Sequence, residues 1–176
     1  MHDRTDDELI YEALSQDRDA FEALVLRHRP RAVRFAAGIV GPDAAEDMAQ
    51  EAFAKVYLRL SAYQRNTSFK SWLLTIVRNT CIDYMRKQME SLPLEETIGP
   101  LEAETPSDAI IKAEEWQALR FVWNRLAKDA RCALYLYAYE ELPYRDIAAA
   151  MGKSTAQVKM IIYRARKKLK KELSKP

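Results

Sequence analysis

Apolar residues recur every three or four positions along this chain, and nothing alternates with period two for long, so the pattern predicts helices. Thr5 followed by Glu8 has the form of a capping box, which starts a first helix there. "DAFEALVLRHRPRAVRFAAGIVG" predicts a second helix ending near Gly41, with Pro42 beyond it and Pro30 as a kink or break inside it. A third is predicted from Asp43, a good N-cap, with the stripe Ala45, Met48, Ala49, Ala52, Phe53, Val56, Tyr57 and Leu60. "SAYQRNTS" is a polar loop. A fourth helix follows from about Phe69 to Gln88, with Phe69, Trp72, Leu73, Ile76 and Val77 inward, and Phe69 and Trp72 are assigned to the core.

Between Gln88 and Asp108 the texture changes. "QMESLPLEETIGPLEAETPSD" is acidic, contains Pro93, Pro100, Pro106 and Gly99, and carries no Lys or Arg, so it predicts a linker. Four helical stretches are predicted after it, over about 109–128, 129–140, 143–151 and 155–172. The expected fold class is all-α: two small helical domains joined by an acidic flexible linker. A four-helix N-terminal domain spans 1–88, the linker 89–107 and a helix-turn-helix C-terminal domain 108–176.

Composition sharpens this picture at a few points. The chain is 48% hydrophobic and 31% charged, with four glycines, in keeping with a soluble helical protein. The net charge of +2 hides a sign asymmetry: an acidic linker, then a strongly basic last helix. Cys81 and Cys132 stand far apart and form no CxxC, so no disulfide framework or zinc site is expected, which fits a reducing cytoplasm. The start "MHDRTDDELI" lacks an apolar signal core, and no apolar run approaches the roughly 20 residues that span a bilayer, so a cytoplasmic location without membrane insertion is expected.

The candidate chemistry is recognition. In "LPYRDIAAAMGKSTAQVKMIIYRARKKL" two amphipathic helices meet at Gly152, with Ile147, Ala148 and Met151 facing Val158, Ile162 and Ala165. Pro143 suits the first turn of the first helix, and Ser154 can cap the second. That is the layout of a helix-turn-helix, whose second helix enters the major groove of DNA. Lys159, Met160, Tyr163 and Arg164 project near the half of that helix that reaches base edges, and the later lysines suit phosphates. The bland alternative is a solvated, Lys-rich terminal helix.

On the third helix Asp47, Gln50 and Glu51 share a face away from the apolar stripe, continued by Ala54 and Leu58. Such a face suits a basic partner helix; the alternative is a solvated face with Glu51 paired to Lys55 at i, i+4. The loop and fourth helix mix Tyr63 with Asn66, Arg78, Asn79, Asp83 and Arg86, residue types that hold bases removed from a duplex by stacking and by hydrogen bonds to their edges. Neither His2 nor His28 sits in a recognisable catalytic arrangement, so an enzyme is the least favoured class.

Taken together, "DAAEDMAQEAFAKVY", "SFKSWLLTIVRNTCIDYMRK", the linker and the helix-turn-helix segment resemble the extracytoplasmic-function (ECF) group of bacterial sigma-70 factors, in the right order and over nearly the whole chain. The resemblance implies an alternative sigma factor that binds core RNA polymerase, recognises −10 and −35 promoter elements and promotes strand opening. It implies that Asp47, Gln50, Glu51, Ala54 and Leu58 contact the polymerase. It implies that Tyr63, Gln64, Arg65, Asn66, Thr67 and Ser68, with Arg78, Asn79, Asp83 and Arg86, serve the −10 element and melting. It implies that Ser154, Thr155, Gln157, Lys159, Met160, Tyr163, Arg164, Arg166 and Lys167 contact the −35 region. The partners implied are core polymerase, promoter DNA and an anti-sigma factor, often membrane-anchored; no cofactor or metal is implied. The family often has an apolar residue at Lys153, Gly at Ala156, Thr at Gln157, a small polar residue at Met160 and Pro at Ala127, so the −35 sequence does not follow from the resemblance. The rival is a free-standing helix-turn-helix regulator that binds duplex DNA as a dimer. A helical adaptor with no DNA role is a second rival, poorly served by the basic helix.

Overall fold

Helix α1, Asp6–Leu14, begins at the capping box. In the computed structural model Thr5 Oγ1 accepts from the Glu8 N–H at 3.3 Å, and Glu8 Oε2 accepts from the Thr5 N–H at 2.7 Å. The Thr5 N–H, and then the Thr5 hydroxyl, which donates to the same Glu8 Oε2 at 2.9 Å, hold the Glu8 carboxyl below the usual carboxylate range. The structure describes residues 4–64, 68–91, 121–123 and 125–174; every regular element among them is helical, and no strand occurs among the described residues.

Helix α2, Arg18–Val40, is capped by Asp17, whose carboxylate accepts from the Asp19 and Ala20 N–H groups. Pro30 does not break it. Proline removes one main-chain donor, but Leu24, His28, Ala32 and Phe35 are buried on either side of it, and this packing carries the helix through.

Helix α3, Pro42–Arg59, starts one residue before the expected cap. Asp43 lies inside the first turn and Gly41 holds the cap position at φ 89°, without a side-chain cap bond. Pro42 occupies N1, where its fixed φ is already helical and its missing N–H is no loss. A short 3₁₀ turn, Leu60–Ala62, ends α3. Helix α4, Phe69–Ser91, runs three residues beyond its expected end at Gln88. Ser68 starts it: Ser68 Oγ accepts from the Ser71 N–H at 3.2 Å. The rest of the expected linker lies outside the described residues.

The chain divides into two compact units, Met1–Ser91 and Leu92–Pro176. In the first, α2 packs against α1, α3 and α4. Leu9, Leu24, Phe35, Val56, Leu73 and Val77 are at most 1% exposed and form the core. Each such side chain contributes about 1.5–3 kcal/mol by leaving water, so this seam holds the four helices together. Phe69 is buried as expected, but Trp72 is only half-buried and belongs to the margin of the core.

In the second unit residues 121–123 are helical, and the chain turns over 125–126. The predicted helix over 109–128 therefore ends early, and its part over 109–120 lies outside the described residues. Helix α5, Lys128–Leu134, passes directly into a π-helical turn, Tyr135–Tyr139. Helix α6, Tyr144–Met151, follows with Pro143 at its cap rather than in its first turn, and α7, Thr155–Leu173, completes the unit. Helix α7 packs on α5 and α6 through Val158, Ile162 and Ala165, all buried. Cys81 and Cys132 are both buried free thiols. Among the described residues no helix is long and apolar enough to cross a membrane.

Candidate nucleic-acid interface and partner face

Gly152 sets the geometry of the α6–α7 pair. It adopts the left-handed conformation, φ 62° and ψ 37°. Its N–H reaches Ala149 O at 3.3 Å, and the Lys153 N–H reaches Ala148 O at 3.0 Å. This doubly bonded stop satisfies the last carbonyls of α6 and turns the chain sharply. Ser154 then opens α7 with a full capping box: Ser154 Oγ accepts from the Gln157 N–H at 3.2 Å, and Gln157 Oε1 accepts from the Ser154 N–H at 2.8 Å. Ile147, Ala148, Met151, Val158, Ile162 and Ala165 are all at most 6% exposed, so both apolar stripes meet as expected.

The outer face of α7 carries the candidate DNA residues. Lys159, Arg164, Arg166 and Lys167 are exposed, and so are Met160 and Tyr163. Thr155, Ser154 and Gln157 are exposed at the N-terminal turn, but the side chains of Ser154 and Gln157 are engaged in the cap. The first turn of α7 has no acidic residue, so no carboxylate there competes for the positive end of the helix dipole. Lys153, outside the helix, pairs with Asp129 at 2.9 Å.

A tyrosine platform beside this face was not predicted. The Tyr137 and Tyr144 rings stack with centroids 5.2 Å apart, and Lys159 Nζ lies 5.6 Å from the Tyr144 centroid. The Tyr137 hydroxyl hydrogen-bonds Tyr144 and holds its phenol pKa above the usual range, while the Arg166 charge pulls the other way. The sequence signal was the tyrosine-rich run "YLYAYEELPY". Its π-helical turn, which brings Tyr137 to Tyr144, has no local signature.

In the first unit, Asp47, Gln50, Glu51, Ala54 and Leu58 are all exposed and lie along one stripe of α3. Leu58 is 78% exposed and Tyr57 beside it 55%. The expected i, i+4 pair is also present: Lys55 Nζ lies 2.7 Å from Glu51 Oε1. Lys55 Nζ also donates to Thr80 Oγ1 on α4 at 3.0 Å.

The loop residues divide. Tyr63 is half-buried, its ring 5.8 Å from Phe69 and 5.2 Å from Trp72. Gln64 is exposed, Ser68 caps α4, and Arg65, Asn66 and Thr67 lie outside the described residues. On α4, Arg78 is half-buried and Asn79 exposed. Asp83 and Arg86 pair with each other at 3.2 Å.

His28 buttresses this cluster from α2. It is 3% exposed, and its ring meets Phe69 edge-on with centroids 5.2 Å apart. Nδ1 lies 3.3 Å from Arg31 Nη1, which can only donate, so Nδ1 carries the lone pair and Nε2–H donates to Asp6 at 2.8 Å. Burial lowers the imidazole pKa, with Asp6 opposing it.

Residues 24–90 match the family Sigma-70 region 2, and residues 116–169 match Sigma-70, region 4. The chain is 32% identical over 127 residues to the ECF RNA polymerase sigma factor SigM of Bacillus subtilis, covering 72% of this chain and 77% of that protein. It is 28% identical to the ECF RNA polymerase sigma-E factor of Escherichia coli over 174 residues, covering 92% and 91% of the two chains. Among solved structures, the sigma factor RpoE of Bartonella quintana, in complex with the anti-sigma factor NepR, superposes with a TM-score of 0.74 at 26% identity, covering 87% of this chain and 96% of that one. The region 2 match takes in the α3 stripe and the α4 cluster, and the region 4 match takes in the α6–α7 pair. The chain belongs to the ECF group of the sigma-70 family, the alternative sigma factors of RNA polymerase.

Proposed function

We propose that the two units divide one task, as the sequence suggests for 1–88 and 108–176 flanking a linker at 89–107. The α3 stripe Asp47, Gln50, Glu51, Ala54 and Leu58 docks core RNA polymerase, the acids meeting a basic partner surface and Leu58 its apolar edge. Tyr63 to Ser68, with Arg78, Asn79, Asp83 and Arg86, hold the opened −10 element. Trapping an unstacked base offsets a few kcal/mol of opening cost, so melting needs no hydrolysis by this chain. RNA synthesis is then the polymerase's own chemistry, and the protein acts in the cytoplasm as a specificity subunit rather than an enzyme. Helix α7 reads the −35 element through Lys159, Met160, Tyr163 and Arg164, and Ser154, Thr155, Gln157, Arg166 and Lys167 place it on the backbone.

The observation that carries this function is the α3 stripe. Leu58, 78% exposed, lies in line with Asp47 and Glu51, so the stripe joins acids to an apolar edge as docking of a basic partner helix requires. Because RpoE of Bartonella quintana is bound by the anti-sigma factor NepR, an anti-sigma partner, soluble or membrane-anchored, is proposed here too.

The test is transcription in vitro with bacterial core polymerase on a library of randomised promoters. Chain-dependent start sites sharing two spaced motifs are expected. Asp47→Lys with Glu51→Lys abolishes them while leaving the helical signal intact. Retention of duplex DNA by the chain alone, with no polymerase-dependent transcripts, would make the free-standing regulator the better reading.

A further inference from the structure

The Lys55 ammonium has two partners on two helices. It lies 2.7 Å from Glu51 Oε1 on its own helix and donates to Thr80 Oγ1 on α4 at 3.0 Å. Thr80 is only 1% exposed, whereas the Glu51 side chain is 49% exposed and faces out of the α3 stripe. An ordinary surface i, i+4 pair joins two mobile side chains and stabilises little. This one differs because the lysine is pinned at its far end to a hydroxyl inside the α3–α4 interface. A pinned lysine restricts the carboxylate beside it to fewer rotamers before any partner arrives. The remaining Glu51 oxygen, Oε2, is then presented in a fixed direction to an incoming cation.

We propose that Lys55, anchored by Thr80, is a positioning residue that pre-orients Glu51 for docking core polymerase. The proposal rests on the assignment of the α3 stripe as the docking face. It makes the buried hydroxyl of Thr80, which no docked partner can touch, a determinant of polymerase affinity. Pre-ordering one long side chain is worth roughly two- to twelve-fold in binding.

The test is a double-mutant cycle on the full chain. Affinity for core polymerase is measured by anisotropy of the labelled protein for wild type, Thr80→Val, Glu51→Ala and the double variant, with circular dichroism as the folding check. Thr80→Val keeps the shape and removes the hydroxyl, and it is expected to weaken binding by that factor when Glu51 is present and to have no effect in the Glu51→Ala background. Thr80→Ser, which keeps the hydroxyl, restores the wild-type value. If Thr80→Val lowers the helical signal, Lys55→Met, which keeps the aliphatic stem, replaces it in the same cycle. Equal losses in both Glu51 backgrounds, or no rescue by serine, overturn the positioning role while leaving the docking face intact. An unchanged affinity in Glu51→Ala alone removes Glu51 from the docking contacts and overturns the positioning role; normal binding by Asp47→Lys with Glu51→Lys would overturn the docking face itself.

Discussion

Gly152→Ala tests how α7 is held. Gly152 sits at φ 62°, ψ 37°, and an added Cβ there would meet nothing within 4 Å. The cost is therefore confined to the backbone: an L-residue in the left-handed region is less stable by about 1–2 kcal/mol. Asparagine tolerates that region better, so Gly152→Asn should lie between alanine and wild type. Native-state hydrogen exchange on the full chain reads this locally. Amides of Val158 and Ile162, buried in α7, should exchange about 5–30 times faster in Gly152→Ala. Those of Leu73 and Val77 in the other unit should not change. Unchanged α7 exchange in the alanine variant would mean that the turn does not depend on a left-handed residue. A loss well above the range would mean a clash that the open space around Gly152 rules out. Either result refutes the account of the turn.

Ser154→Ala removes a cap bond and should cost the second unit about 1 kcal/mol. Ser154→Asp keeps the cap but sets a negative charge toward phosphate, so by denaturation and duplex binding it should retain stability and lose −35 affinity; loss of stability in both would disprove the separation. Arg164→Ala should weaken holoenzyme binding to its promoter by about 1–3 kcal/mol and relax one −35 position, whereas a sequence-independent loss with a shallower salt slope would make it a phosphate contact. Because His28 is buried neutral with a lowered pKa, the unfolded chain takes up its proton first as pH falls through about 6.5. Stability should fall through that point and level off below the folded-state pKa. The wild-type urea midpoint should therefore drop more than that of His28→Gln between about pH 7.5 and about pH 5.5, and equal drops would contradict a neutral buried imidazole.

The elements that could be placed from sequence are those fixed by local rules. The Thr5–Glu8 box and the Ser154 cap act within three residues, and Gly152 stops α6 through bonds to the preceding turn, whereas Gln157, read only as a DNA contact, closes the second box. Asp43 misled because it is a good cap by type, yet Gly41 and Pro42 already supply the entry geometry. Trp72 misled because helical spacing identifies the inner face but not how deeply each position sits. What could not be read were contacts between helices. Asp6 meets His28, Lys55 meets Thr80 and Arg29 Nε meets Glu46 at 2.8 Å only once α1 to α4 are packed. The same limit hid the Tyr137–Tyr144 platform, because a π-helical turn has no residue pattern of its own.

The charge on α7 follows from the same accounting of local and tertiary terms. Arg164, Arg166, Lys167, Lys168, Lys170 and Lys171 repel one another at i, i+3 and i, i+4 spacing, at about 0.2–0.5 kcal/mol for each neighbouring pair. Lys170 and Lys171 recover part of this by lying in the last turn, at the negative end of the helix dipole. Burying Val158 and Ile162 completely contributes about 1.5–3 kcal/mol each, and the Ser154 cap about 1 kcal/mol more. The apolar seam and the cap therefore exceed the repulsion, so the charge does not keep α7 from packing on the core of its unit. In the proposed complex, contact with phosphate would relieve the repulsion that remains and release counterions, so this charge would appear as affinity, steep in salt, rather than as the means of folding the helix.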